Sequence, residues 1–263
     1  MNRSLLRDYS DSLRHPEFWV YATWLELASR YRRSRLGLFW AMLPPALYAF
    51  GIGGFFAHMQ RQRMESFIPH MAIGYVIFRF ITVALIEATT TCVGHASYIL
   101  DGRVRLTDYV LRVIAKAAFY LVLSVPVVVV ALWMAPGFQW ISILFVLPAL
   151  GVVLLNVAWM GVLMAVLGAR LQDVNQLMGS VLMIGFLFTP IIWHADLTPA
   201  DTSRGAIARM NPLFHMVEIV RAPLLGGQVE FMTYLYLAVL FVVGSGITIL
   251  IYRRYARFVP LWV

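Results

Sequence analysis

The chain has 263 residues, of which 61% are hydrophobic and 13% are charged, and its formal net charge is +8. Soluble globular chains are typically about 45–50% apolar and about 25% charged, so this composition excludes a soluble domain with one buried core and indicates a lipid-embedded protein. The basic residues lie between apolar runs, whereas nucleic-acid binding needs a solvated basic face, so we do not expect nucleic acid as a partner.

The first 35 residues are predicted to form a cytoplasmic N-terminus with an amphipathic interfacial helix. Pro16 is a favourable first helical residue, and the segment 16–33 combines several aromatic residues with glutamate and arginine. Aromatic rings at the headgroup level with arginine on the other face are typical of a helix that lies in the membrane interface. The helix leads into four arginines: Arg30, Arg32, Arg33 and Arg35. No apolar run precedes residue 36, so a cleavable signal peptide is not expected.

Six transmembrane helices are predicted between residues 36 and 252. A bilayer core of about 30 Å needs about 20 apolar residues in a helix, and five segments meet or approach this length. A sixth segment is long enough but carries Arg79 and Glu87, and we count it as a span because the charge distribution requires an even number. The spans are placed at about 36–57, 67–92, 110–135, 141–168, 176–193 and 230–252, followed by a cytoplasmic tail at 253–263.

The arginine distribution predicts that both ends of the chain lie in the cytoplasm. With that orientation fifteen basic residues lie inside and five lie outside, as the positive-inside rule favours. No other orientation fits as well. The predicted fold class is therefore an all-α integral membrane protein with six spans, N-in and C-in.

A further short helix is predicted at 211–225, before the last span. Asn211 can cap it, Pro212 suits its first turn and Gly226 ends it. About fourteen residues are too few to cross the bilayer, so we expect a re-entrant or interfacial element on the outer side.

Arg79 and Glu87 lie inside a predicted span, where a charge costs at least about 2.5 kcal/mol at the membrane centre. Eight residues separate them, about 12 Å along a helix axis, so we do not expect them to pair directly. Arg79 then either pairs with another helix or contacts substrate. Glu87 either is solvated near the cytoplasmic boundary or contacts substrate.

Aromatic residues recur in the first and fifth spans. Most are expected to face lipid or to pack between helices, but a pore lined by some of them could stack on sugar rings. The candidate residues of a substrate pathway are Trp40, Tyr48, Phe55, Arg79, Glu87, Phe188 and Trp193.

No catalytic, nucleotide or metal site is predicted in this chain. It has no G-x-x-x-x-G-K-[ST] sequence, and its only lysine, Lys116, follows no glycine loop. The sequences H-E-x-x-H and G-x-S-x-G are absent, and the six histidines show no ligand spacing. The single cysteine, Cys92, excludes an intrachain disulfide and a cysteine metal cluster. A membrane-buried chain of this kind is a pathway, and active transport through it needs a partner that consumes ATP.

Three segments resemble permeases of the second exporter type of ABC transporter, and they occur in the order of that family. They are RYRRSRLGLFWAMLPPAL before and in the first span, LGARLQDVNQLMGSVLMIGFLFTPIIW at the fourth-to-fifth span junction, and MNPLFHMVEIVRAPLLGG before the last span. The closing YRRYARFVPLWV is similar to permeases that export O-antigen or capsular polysaccharide. Pro44-Pro45 departs from the single proline usual in the family, which affects the expected shape of the first span.

The resemblance implies a homodimer that works with two ATP-binding cassette ATPase subunits and moves a lipid-linked glycan across the bacterial inner membrane. ATP and Mg would bind to the ATPase, and no cofactor is expected in this chain. The residues expected to couple to the ATPase are Arg30, Arg32, Arg33, Arg35, Tyr98, Asp101, Arg103 and Asp108. The resemblance places Arg170 and Asp173 on an inner turn, where they could also form only a local salt bridge. It places Asn211, His215, Glu218 and Arg221 on an outer gate helix.

Other functions remain open at this point. The chain could export a small drug, lipid or oligosaccharide, or it could be a passive channel. A membrane-embedded transferase would need a nucleophile or an acid/base pair at the membrane interface.

Overall fold

The computed structural model describes residues 4–32, 34–100, 104–194 and 202–263, and within these ranges all regular structure is helical. Five helices there are long and apolar enough to cross a membrane: Phe39–Met59, Met64–Thr91, Leu106–Met134, Trp140–Arg170 and Phe231–Trp262. Helices satisfy their backbone amides internally, which is what hydrocarbon requires of a chain this apolar. The chain is therefore an all-helical integral membrane protein.

Two helices precede the first span. Helix α1 covers Leu5–Arg14, which the hydropathy pattern does not predict, and α2 covers Glu17–Tyr31. The Tyr9 hydroxyl of α1 donates a hydrogen bond to the Ala158 carbonyl oxygen at 2.8 Å. This contact joins α1 to the end of the bundle on which α2 also packs, and we call that end the α2 side.

The first span continues through its two prolines with a change of helix type. Helix α3 (Phe39–Ala46) contains Pro44 and Pro45, a π-helical turn covers Leu47–Ile52, and α4 (Gly53–Met59) completes the span. Proline lacks an N–H and its ring crowds the preceding turn, which disturbs a regular α-helix. The wider turn follows directly after the prolines, so the double proline changes the shape of the span without ending it.

The second span, α5 (Met64–Thr91), is the centre of the fold. In its most apolar 18-residue stretch, 67% is buried inside the protein, whereas the same share is 17–39% in the other four spans. It packs against the first span and against the helices α7, α8, α9 and α11 described below. A membrane helix with protein neighbours on most sides can carry polar side chains, because those side chains meet protein instead of lipid.

The next helices lead to a short fifth apolar segment. They are α6 (Ala96–Leu100), α7 (Leu106–Met134), α8 (Ile143–Arg170) and α9 (Val174–Phe188). With 15 residues, α9 is about 22 Å long, which is shorter than a bilayer core of about 30 Å. It ends because Thr189 precedes Pro190, and a residue before proline is forced from the helical into the extended region. The predicted span 176–193 is therefore helical only as far as Phe188.

The remaining helices are α10 (Ser203–Met210), α11 (Pro212–Leu224), α12 (Phe231–Tyr255) and α13 (Val259–Trp262). The Asn211 side-chain oxygen accepts the Leu213 N–H at 3.0 Å and so caps α11, and Gly226 follows the helix with a φ of +77°. Nearly all side chains of α11 are buried, because it packs among α5, α8 and α12. We call this end of the bundle the α11 side.

Replacing Gly168 by alanine tests the close contact of α8 with α5. A Cβ atom at this position would overlap the Thr89 carbonyl oxygen, and a backbone group cannot move aside without moving its helix. We expect Gly168→Ala to destabilise the protein by about 1–3 kcal/mol, measured as a lower midpoint of thermal unfolding in detergent. Gly151→Ala, in the same helix but facing open space, should leave the midpoint unchanged or raise it. Equal midpoints for the two variants would contradict the close contact.

Candidate functional site

An ion-pair network joins α2, α5 and α7. The Glu26 carboxylate contacts both the Arg112 guanidinium and the Lys116 ammonium, and Lys116 Nζ also lies 2.7 Å from the Glu87 carboxylate. The Lys116 side chain is only 6% exposed, and a charge that is buried to this extent needs such partners because desolvation is costly. We call Glu26, Glu87, Arg112 and Lys116 the Lys116 network; it ties α2 to two spans.

The face of α2 that packs on the bundle carries polar side chains beside the buried Leu27. Trp19, Thr23 and Glu26 follow one another at helical spacing, and the Thr23 hydroxyl donates to the Arg112 carbonyl oxygen at 3.3 Å. The opposite face exposes the apolar residues Val20, Tyr21, Trp24 and Leu25. Helix α2 therefore has one face packed on the bundle and an apolar face that the described residues leave exposed.

A cavity of about 520 Å³ lies beside the Lys116 network, and His95 forms part of its wall. Burial lowers the pKa of His95, and the nearby Arg112 charge lowers it further. Burial raises the pKa of Glu26, but hydrogen bonds from Lys116 and Arg112 outweigh it and lower the pKa overall. The cavity wall includes all four side chains of the Lys116 network, two basic and two acidic.

The residues predicted to couple to an ATPase are divided between surface and interior. Arg32, Arg35 and Tyr98 are exposed on the α2 side. Arg30 donates to the Tyr120 hydroxyl at 2.9 Å. Asp108 is buried, and its carboxylate accepts the Arg105 N–H at 3.0 Å as the cap of α7. Arg33, Asp101 and Arg103 lie outside the described residues.

Arg79 and Glu87 bind to different parts of the protein. Arg79 Nη1 donates to the Ala41 carbonyl oxygen at 3.0 Å, and its guanidinium lies 5.6 Å from the centre of the Tyr120 ring. Glu87 pairs with Lys116, as described above. Arg79 and Glu87 therefore both have protein partners on other helices.

A second cavity, of about 330 Å³, has an aromatic wall between the first span, α5 and α9. The Tyr48 and Tyr75 rings are stacked with their centres 3.9 Å apart, and Phe186 meets Tyr48 edge to face at 6.1 Å. Phe78 lies 5.2 Å from Phe186 between ring centres. We call Tyr48, Tyr75, Phe78 and Phe186 the aromatic wall; its rings present apolar faces and hydroxyl groups together.

The other aromatic pathway candidates do not line this cavity. Trp40 and Phe55 are exposed at other positions of the first span, and Phe188 is exposed at the end of α9. Trp193 Nε1 donates to the Leu187 carbonyl oxygen at 3.1 Å, which folds the segment after α9 back on the helix. Of the predicted aromatic residues the structure thus brings only Tyr48 into the aromatic wall.

The turn between α8 and α9 joins the C-terminal segment. The Arg170 guanidinium lies 5.6 Å from the centres of the Tyr255 and Trp262 rings. Asp173 is exposed at the start of α9, and in the described part of the chain no ion pair connects it to Arg170. The next polar residue, Asn175, donates to the Thr89 hydroxyl of α5 at 2.8 Å.

On the α11 side, α11 fixes the segment that follows α9. Arg221 is 2% exposed; its guanidinium contacts the Pro190 carbonyl oxygen and the Glu218 carboxylate. His70 of α5 lies 3.1 Å from the same carbonyl oxygen. Asn211, besides capping the helix, donates to the Thr189 hydroxyl at 2.8 Å. Three side chains therefore hold the segment after Phe188, two of them through its backbone.

His215, the fourth residue predicted on this helix, points to α10 and α12. Its ring nitrogens lie 2.7 Å from the Arg209 carbonyl oxygen and 3.0 Å from the Thr233 hydroxyl. A third cavity, of about 380 Å³, lies beside α11 and is lined in part by Glu218 and Arg221.

Sequence reasoning missed several residues of these sites. Glu26 and Arg112 belong to no recognisable sequence motif. Tyr75 and Phe78 have no sequence feature that distinguishes them from the other aromatic residues of the spans. Lys116 did carry a signal, because it is the only lysine and lies in an apolar helix where a cation needs a partner. Among the described residues no three His, Cys, Asp or Glu side chains converge as metal ligands would.

Comparison with known proteins places the chain in a family. Residues 17–225 match the family model described as ABC-2 type transporter. The chain is 27% identical over 207 residues to the O-antigen export system permease protein RfbA of Myxococcus xanthus. This alignment covers 75% of this chain and 76% of that protein. Two proteins of the same name from Klebsiella pneumoniae are 22% and 21% identical over 233 residues, 88% of this chain and 87% of theirs.

The family match confirms the resemblance carried by the three sequence segments. It covers α2, the first four long spans, α9 and α11, so it includes the first two cavities and the Lys116 network. The chain therefore belongs to the ABC-2 type transporter family, as a multi-pass permease subunit of the inner membrane, and this family implies a partnership with ATP-binding cassette subunits.

Proposed function

We propose that this chain is the membrane-spanning subunit of an ATP-driven exporter that moves a lipid-linked polysaccharide of the O-antigen or capsule type. The observation that carries the proposal is the aromatic wall of Tyr48, Tyr75, Phe78 and Phe186. Stacked rings can contact the apolar faces of successive sugars without a charged site, which suits a polymer that must slide. The names of the three relatives, O-antigen export permeases, agree with this chemistry.

The proposed topology has six crossings with both ends in the cytoplasm. Helix α9 is too short to cross alone, so the segment after it completes the fifth crossing. Irregular backbone at membrane depth is tolerated where protein buries it, and here His70 and Arg221 hold the Pro190 carbonyl oxygen. The excess of arginine supports this orientation, which makes the α2 side cytoplasmic and the α11 side the outer one.

The proposed assembly is a homodimer with two ATPase subunits. An apolar stripe of α9 supports it, because these residues recur at helical spacing and are exposed: Leu177, Val181, Ile184 and Phe188. The stripe lies on a different face of α9 from Gly179, Leu182 and Phe186, which line the cavity of the aromatic wall.

The proposed coupling runs through α2 into the Lys116 network. The ATPase binds ATP and Mg, and binding drives transport only if it favours one packing of the permease over another. Arg32, Arg35 and Tyr98 offer exposed contacts to the ATPase on the α2 side. Movement of α2 would then displace Glu26 and, through Lys116, act on α5 and α7.

Deletion of the gene, combined with purification of the complex, tests the proposed function. We expect loss of surface polysaccharide, accumulation of lipid-linked glycan inside the cell, and co-purification with an ATPase whose ATP hydrolysis the glycan stimulates. Unchanged surface polysaccharide without internal accumulation would contradict the proposal. If a drug or a simple lipid stimulates ATP hydrolysis instead, the result would favour an exporter of small substrates. Flux without ATP would favour a passive channel.

Truncation of Tyr48 tests the aromatic wall. Aromatic contacts are worth about 0.5–1.5 kcal/mol, so Tyr48→Ala should reduce export about 2- to 10-fold while assembly with the ATPase is kept. The readout is the rate at which polysaccharide reaches the surface in a strain without the native gene. Trp133→Ala, which removes a ring that is 80% exposed at the end of α7, is the matched control and should export normally. Equal rates for the two variants would remove Tyr48 from the pathway.

Neutralising Glu26 tests the Lys116 network. The pKa of Glu26 lies below its ordinary value of 4.5, so its ion pairs stabilise the folded state above about pH 4.5 and are lost as pH falls through the lowered pKa. Glu26→Gln should therefore lower the midpoint of thermal unfolding at pH 7, by about 1–3 kcal/mol of stability, and the two proteins should converge in acid. Transport per ATP hydrolysed should also fall, because α2 is less firmly tied to α5 and α7.

Glu17→Gln is the control for this prediction. Glu17 lies in the same helix and is exposed, so the same substitution there should change neither the pH profile nor the coupling. A parallel pH dependence for Glu26→Gln and the unaltered protein would show that the network does not stabilise the fold.

A further inference from the structure

The two prolines of the first span leave two carbonyl oxygens without helical partners. In an α-helix the N–H of residue i bonds to the carbonyl oxygen of residue i−4. Pro45 has no N–H for the Ala41 carbonyl oxygen, and Pro44 has none for that of Trp40. Ala41 is 3% exposed, so at this position neither water nor lipid can replace the missing donor.

Arg79 donates to one of these two oxygens. Its Nη1 lies 3.0 Å from the Ala41 carbonyl oxygen, from a helix 38 residues further along the chain. Among the described residues Arg79 forms no ion pair, and its charge rests over the Tyr120 ring. The guanidinium therefore acts here as a hydrogen-bond donor to backbone rather than as half of an ion pair.

The same face of α5 carries the next contact with the first span. Tyr75 lies four residues before Arg79, one helical turn away on the same face, and stacks on Tyr48. Tyr48 in turn lies seven residues after Ala41, two turns along the first span. The two helices run in opposite directions, so the pairs Arg79–Ala41 and Tyr75–Tyr48 are successive contacts along one seam.

We infer that Arg79 is a positioning residue that replaces the N–H missing from Pro45. It holds the first span against α5, so that the wide turn after the prolines brings Tyr48 onto Tyr75. The hydrogen bond itself is independent of what the protein transports. Only its consequence for export rests on the proposed function.

Restoring the missing N–H tests this inference. We expect Arg79→Met to reduce the ratio of folded to unfolded protein in detergent about tenfold or more, because it leaves a buried carbonyl oxygen without a donor. In Arg79→Met/Pro45→Ala, alanine supplies the N–H at position 45 and both stability and export should recover. Arg79→Met/Pro44→Ala is the matched control: it restores the N–H for Trp40 instead of Ala41, and we expect no recovery. Arg79→Lys, which keeps a donor, should fall between the unaltered protein and Arg79→Met.

The outcomes distinguish a role of Arg79 as a hydrogen-bond donor from a role of its positive charge. If Arg79→Met/Pro45→Ala is as unstable as Arg79→Met, or if the Pro44 variant recovers equally, the inference is wrong. If stability recovers but export does not, the hydrogen bond to Ala41 is supported and its consequence for export is overturned. If Arg79→Met alone does not fold, recovery of folded protein only in the Pro45 combination is the supporting result. The unfolding measurements need no substrate, so they decide the hydrogen bond even if the proposed function fails.

Discussion

Hydrocarbon offers no partner to a polar group, and this constraint governs the polar contacts of the structure. Helix α5 shows it most clearly, because it carries His70, Arg79 and Glu87 in a membrane span. Each side chain reaches a different element: His70 the carbonyl oxygen of Pro190, Arg79 that of Ala41, and Glu87 the ammonium of Lys116. The polar residues that α5 carries within its span are therefore the ones that join the bundle together.

These contacts arrange the candidate sites along one helix. Seventeen residues separate His70 from Glu87, about 25 Å along the axis, and Tyr75 of the aromatic wall lies between them. In the proposed exporter, movement of α2 reaches α5 at Glu87, passes the aromatic wall and ends where His70 and Arg221 hold the segment after α9. A helix packed on most sides moves as a unit, so it can transmit a displacement over this distance.

Sequence patterns predicted the parts of the fold that depend on local chemistry. Long apolar runs indicate membrane helices, and capping residues such as Asn211 mark a helix end without reference to the rest of the chain. Sequence patterns did not predict the features that have no clear local signal in the sequence. Helix α1 has too few apolar residues to be noticed, and the aromatic wall contains Tyr48 but not Trp40, although both rings lie in the same span.

The sequence by itself determined that this is a membrane protein of the ABC-2 permease family, because composition and three ordered segments need no knowledge of contacts. Only the tertiary structure decided what the buried charges do. Arg79 contacts Ala41, 38 residues away in sequence, and Lys116 contacts Glu26, 90 residues away. A single sequence does not show which distant residues become neighbours in the fold. The missing N–H of Pro45 is visible in the sequence, but the donor that replaces it is defined only by the packing of α5 against the first span.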